Sequence, residues 1–209
     1  MKYKLVIFDF DGTLADSFPW FLRIINDVAE KYRFRPIEDH EIEALRGYDN
    51  RKIIEHLKMP VWKMPFVTRY MRKIMTKDIH GISLFPGVNQ MLRNLIAGGL
   101  ETAIVTSNST ANVRTVLGPE NTNLIKYYAC GARLFGKPAK IKKVLRWSGV
   151  NPAEAICVGD EIRDLQAAHS VGAAFGAVSW GYARPESFTP LSPEEVFLNI
   201  SDIVVKLTK

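Results

Sequence analysis

The chain has 209 residues, 47% of them hydrophobic and 24% charged, which excludes a disordered polymer and allows one substantial core, alone or with a small accessory module. Its net charge of +6 is spread along the sequence instead of gathering in a basic block, so no nucleic-acid partner is expected and a small anionic substrate suits the balance. Cys130 and Cys157 form neither a CxxC pair nor a disulfide framework, no apolar run reaches membrane-spanning length, and the N-terminal apolar stretch is too short and too soon acidic for a signal peptide, so a cytoplasmic protein with no membrane partner is expected.

Residues 3–8 predict a short buried strand that stops at the turn Asp11-Gly12-Thr13, and Thr102–Val105, Ala155–Val158 and Ala173–Val178 predict further strands. Val88, Met91, Leu92, Leu95 and Ile96 recur at helical spacing between Pro86 and Gly98. Ile141, Val144 and Leu145 repeat that spacing after Pro138, and a shorter helix is expected between Asp164 and Gly172. Alternating strands and helices predict an α/β fold, a Rossmann-like doubly wound parallel sheet. Residues 16–82 break the alternation with about four amphipathic helices and no convincing strand. They predict a helical cap inserted into a core formed by 1–15 and 83–209, with both connections near the C-terminal edge of the sheet, where ligands bind.

Asp9 and Asp11 are two residues apart where the first strand runs out, so their side chains point the same way. Two carboxylates together repel, and the pair predicts a metal site, an acid/base couple or both. A second acidic turn, Gly159-Asp160-Glu161-Ile162-Arg163-Asp164, also follows an apolar strand, and its oxygens would complete a site for a hard cation such as Mg²⁺. Asp160 is the better ligand. Asp164 can serve as an N-cap, a metal neighbour or both, and Glu161 is the alternative to it. Thr106 ends another strand, where its hydroxyl and the N–H groups that follow, from Ser107 onward, can cradle phosphate oxygens. Lys137, in Phe-Gly-Lys-Pro, is expected near a strand–helix junction, with Lys140 as the alternative position for its role.

In this order, Asp-Phe-Asp-Gly-Thr-Leu-Ala-Asp-Ser at 9–17, Val-Thr-Ser at 105–107, Gly-Lys-Pro at 136–138 and Gly-Asp-Glu-Ile-Arg-Asp at 159–164 resemble the haloacid dehalogenase superfamily. Phe-Pro-Gly-Val at 85–88, Ser-Trp-Gly-Tyr at 179–182 and a cap between the first two motifs are similar to its phosphoglycolate phosphatase-like branch. The resemblance implies a phosphatase acting on a small phosphorylated metabolite, with Asp9 as nucleophile, Asp11 as general acid and base, and Thr106 and Lys137 as phosphate clamp. It also implies Mg²⁺ held by Asp9, Asp160 and the backbone carbonyl of Asp11. Arg46, in Leu45-Arg46-Gly47-Tyr48 of the cap, falls where the branch carries a specificity residue and is expected to pair with a second anionic group on the substrate. Three rivals remain open: a dehalogenase, a sugar phosphomutase, and a protein that binds phosphate esters without turnover.

Overall fold

The structure, a computed structural model, describes residues 2–131 and 136–209. Its main sheet has six parallel strands: β1 (Leu5–Phe8), β4 (Glu101–Val105), β5 (Tyr127–Ala129), β6 (Ala155–Gly159), β7 (Ala174–Val178) and β8 (Glu195–Phe197), in the order β5-β4-β1-β6-β7-β8. The chain winds outward from β1 through β4 to β5, then crosses back and winds the other way from β6 to β8. The reversal beside β1 is the switch point at which such sheets leave a crevice beyond their strand ends.

Both faces of the sheet are covered, so its strands read as apolar runs instead of alternating ones. Val6 and Phe8 of β1 pack with α5 (Val88–Ala97), α6 (Thr110–Leu124) and α9 (Ile200–Leu207). Leu5 and Ile7 pack on the opposite face with α7 (Gly136–Ser148) and α8 (Ile162–His169). The expected strands and the helix over 88–97 are present. The sequence reading misses β8 and the first turn of α8, which begins two residues before Asp164. It leaves open the helix and strand of the stretch from Ser109 to Phe135: α6 is the helix, broken at Gly118 where φ is +72° and ψ 169°, and β5 the strand. Residues 132–135, including the Phe135 expected beside Lys137, lie outside the described residues.

A separate antiparallel pair, β2 (Ala15–Asp16) and β3 (Ser83–Leu84), forms the neck through which the chain leaves and re-enters the core. Beyond it lie α1 (Phe18–Tyr32), α2 (Ile42–Leu45), α3 (Asn50–His56) and α4 (Met64–Asp78), the helical cap that the periodicity predicts. Trp20, Ile24, Ile25, Val28 and Ala29 form the buried stripe of α1. Asp49 caps α3 by accepting the Lys52 N–H. Among the described residues, no helix is long and apolar enough to cross a membrane.

Candidate active site

Three adjacent strands bring the site together. Phe8 is in register with Ile104 on one side and Val158 on the other, so the residues just beyond them, Asp9, Thr106 and Asp160, emerge at nearly the same level of the C-terminal edge. The Asp9 N–H still donates to the Val158 carbonyl at 2.8 Å, which ties the first turn to the third strand.

Asp9, Asp160 and Asp164 are all buried, and one oxygen from each lies within 4.8 Å of the others. The Lys137 ammonium contacts Asp9 Oδ2 at 2.7 Å and Asp164 Oδ1 at 2.5 Å. Burial opposes the charge on Lys137, but the Asp164 and Asp9 carboxylates outweigh it and raise the lysine's pKa. One lysine cannot neutralise three carboxylates. Burial and neighbouring acids push Asp160 well above the carboxylate range, and burial together with the charge of Asp9 pushes Asp164 up to about 7. The Asp164 Oδ2 atom is buried without a hydrogen-bond partner. Hard oxygen donors, excess negative charge and an unmatched carboxylate oxygen are what a small divalent cation would satisfy, so these residues fit Mg²⁺. Glu161, the alternative to Asp164, pairs with Arg163. Asp164 lies inside the first turn of α8, whose N-cap is Glu161, so it is not the cap residue.

Asp160 is fixed from two directions. Thr13 Oγ1 donates to its Oδ1 and the Tyr182 N–H to its Oδ2, both at 2.8 Å. Gly12, at φ +76°, lets the first turn pass close: a Cβ there would lie 2.2 Å from Asp160 Oδ2. Asp11 stands apart from the acidic trio. Its two carboxylate oxygens each accept from the Asn108 amide nitrogen at 3.2 Å, and burial, then the charge of Asp9, pushes its pKa up to about 7.

Thr106 is buried, and its Oγ1 accepts the Asn108 N–H at 3.0 Å, curling the loop after β4 into a turn; Ser107 lies exposed on that turn. Lys140, the alternative to Lys137, donates instead to the carbonyls of Thr106, at 2.5 Å, and of Gly131. Asn108, Thr13 and Tyr182 are the site residues that sequence reasoning missed. Asn108 looked like an ordinary turn residue, and nothing in its local pattern announces a partner 97 positions away.

Arg46 lies on the wall of the space between cap and core, with its guanidinium already engaged: Nε donates to the Tyr182 carbonyl at 3.1 Å, one terminal nitrogen to the Gly181 carbonyl at 3.0 Å and the other to Glu43 at 3.0 Å. The Arg184 N–H returns a bond to the Arg46 carbonyl at 3.0 Å. The group is drawn to the loop after β7 because two successive backbone carbonyls there, of Gly181 and Tyr182, match its planar fork of donors.

A parallel α/β sheet with paired acidic turns, a lysine and a hydroxyl converging at its switch point defines a phosphoryl-transfer or related hydrolase site. The family of haloacid dehalogenase-like hydrolases matches residues 6–178. A phosphoglycolate phosphatase of Synechococcus elongatus is 29% identical over 207 residues, covering 99% of this chain and 98% of the relative. An N-acetylmuramic acid 6-phosphate phosphatase of Pseudomonas putida is 25% identical, covering 89% of this chain and 87% of its own. In fold, a haloacid dehalogenase-like hydrolase of Streptococcus pneumoniae superposes with a TM-score of 0.81 at 18% identity, covering 98% of both chains. The chain belongs to the haloacid dehalogenase-like hydrolase family, and within it stands among the phosphatases.

Proposed function

We propose that this enzyme hydrolyses a phosphate monoester of a small organic alcohol through an aspartyl-phosphate on Asp9, with Mg²⁺ as cofactor. The observation that carries the reading is the contact of Lys137 with Asp9 inside a buried trio of carboxylates, opposite an Asp11 held by Asn108. The two relatives named above act on phosphate monoesters, which agrees with it. We assign the catalytic core to residues 1–15 and 83–209 and the cap to 16–82.

Attack by a carboxylate on a phosphate dianion is opposed by repulsion. Mg²⁺, held by Asp9, Asp160, Asp164 and the backbone carbonyl of Asp11, would supply the positive charge that offsets it. Lys137 neutralises Asp9 and the incoming phosphate from the other side, and Thr106 with the Ser107 turn orients the phosphate oxygens. In the first step an Asp9 carboxylate oxygen bonds to phosphorus, the bond from phosphorus to the alcohol oxygen breaks, and Asp11 gives that oxygen its proton. In the second, Asp11 takes a proton from water, the water oxygen bonds to phosphorus, and the bond to Asp9 breaks, releasing inorganic phosphate. Asn108 keeps the Asp11 carboxyl in one place for both proton transfers.

A phosphate-release panel over many monoesters and pyrophosphate, with Mg²⁺ and with chelator, tests the reading. Metal-dependent release of inorganic phosphate is expected. Isomerised product without free phosphate would identify a mutase, and binding without turnover a non-catalytic protein.

A further inference from the structure

Between the sheet edge and the cap lies a cavity of about 370 Å³, within the range of small-molecule sites. Asp11, Ser107 and Asn108 line its core side, so it is continuous with the catalytic groups. Its other walls belong to the cap and are mostly apolar, with Phe21 and Ile25 from α1, Ile53 from α3, and Val67, Met71 and Met75 from α4. An organic group entering a hollow lined in this way leaves water for apolar contact, so its place beside the phosphate site suits the organic part of an ester.

The charged groups on its walls narrow the choice. Arg46 is engaged by two backbone carbonyls and Glu43, and Arg163 by Glu161. Arg72 also lines the cavity, and its Nε donates to the Thr68 carbonyl of its own helix. Asp49 is an acid already serving as the cap of α3, and Tyr48 and Thr68 are neutral. Among the described residues the cap interior therefore offers predominantly apolar contact, with Arg72 its one cation held by neither a carboxylate nor the loop after β7.

We propose that the substrate is the phosphate monoester of an apolar alcohol whose organic part is buried in the cap, in contrast to the short, carboxylated alcohol of phosphoglycolate. The proposal rests on the phosphohydrolase reading above and adds the chemical class of the leaving group. Methionines on the wall suit such a guest, since their flexible thioethers adapt to irregular apolar shapes.

The test is a homologous series of n-alkyl phosphates from methyl to octyl, with phosphoglycolate alongside. Turnover is measured with the Mg²⁺-loaded wild-type enzyme and binding, by calorimetry, with the Mg²⁺-loaded Asp9→Asn protein. Both kcat/KM and affinity should rise about two- to fourfold per added methylene until the cavity is full, with phosphoglycolate below hexyl phosphate. Thr68→Trp, which fills the cavity, should flatten the series. Hydrolysis with a flat series, a steep series that Thr68→Trp leaves unchanged, or phosphoglycolate as the best ester would overturn the proposal. If no ester is hydrolysed yet affinity still climbs with chain length, the catalytic reading falls and the assignment of the cavity stands. If neither turnover nor affinity responds, the cavity assignment is wrong.

Discussion

The Asn108 side-chain nitrogen lies 3.2 Å from each carboxylate oxygen of Asp11, joining the loop after β4 to the turn after β1. The same nitrogen is 3.1 Å from Met75 Sδ of the cap, so the acid, the loop and the cap meet at one amide. Asp11→Asn should slow hydrolysis of alkyl esters by about 10²–10⁴-fold, and aryl esters much less, because only poor leaving groups need a proton as they depart. Asn108→Ala should act in the same sense but more weakly, up to about 10²-fold, by releasing the acid from its position. Parallel rate measurements on hexyl and p-nitrophenyl phosphate check both; equal losses on the two esters would remove the acid role.

Asp9→Asn should abolish phosphate release, by at least about 10³-fold, while the circular dichroism spectrum is unchanged. An amide is nearly isosteric but a poor nucleophile, and it keeps an oxygen for Lys137. Mass spectrometry must accompany the assay, since deamidation would regenerate aspartate. Genuine turnover by intact asparagine protein would eliminate Asp9 as nucleophile.

Stripping metal should abolish activity, and Mg²⁺ should restore it. The second readout is stability: Mg²⁺ should raise the melting temperature of the wild type in a concentration-dependent way, because an ion held by the folded carboxylate trio and not by the unfolded chain would favour the folded state. Asp160→Asn should lose most of that response. Full activity in excess chelator, or an identical Mg²⁺ response in the variant, would contradict the metal assignment.

Much of this architecture is legible in the sequence because it is local. The strand of β1 is an apolar run ending at Asp9, and the cap announces itself by helical periodicity in Trp20, Ile24 and Val28. The carboxylates are legible because strand ends in a parallel sheet must converge. What was not legible depends on partners far apart in sequence. β5 and β8 are three residues each, too short for a period to show. Thr13 holding Asp160 spans 147 positions, and Arg46 reaching Gly181 spans 135. Arg46 was expected to face the substrate because its place in a cap turn is visible in the sequence, whereas the carbonyls that engage it are not.

Arg46→Ala should therefore impair all esters alike. The guanidinium fastens the cap to the loop whose Tyr182 N–H orients Asp160, so its loss loosens both lid and site. A fall of kcat/KM by about 10-fold, up to 10²-fold, is expected on methyl and hexyl phosphate together. If the ratio between the two esters changes instead, Arg46 acts on selectivity, as its position in the sequence suggested.

Lys140 provides a test of how the phosphate loop is held. Its side chain is buried, at 8% exposure, and its Nζ donates to the carbonyls of Thr106 and Gly131. Burial dominates its environment and lowers its pKa to about 8, with Lys137 and Arg72 adding to the effect and Cys130 and Asp9 opposing it. The unfolded chain keeps the ordinary lysine value of 10.5, so between these two values it binds more protons than the native state, and stability rises with pH. This contribution is fully present above 10.5 and is lost as the pH falls through 8. Neutral lysine still has two N–H groups, enough for both carbonyls, so deprotonation relieves the buried charge without unfastening the loop. Lys140→Met removes the charge and the donors together. Its stability should lack the wild-type rise, so the free-energy difference between the two proteins should shift by on the order of 2–3 kcal/mol from pH 7.5 to 10.5 in favour of the wild type. Urea unfolding across that range measures the difference directly, and tyrosine and other lysine titrations common to both proteins cancel in it. Parallel stability curves would show that Lys140 titrates in the folded protein as it does in the unfolded chain.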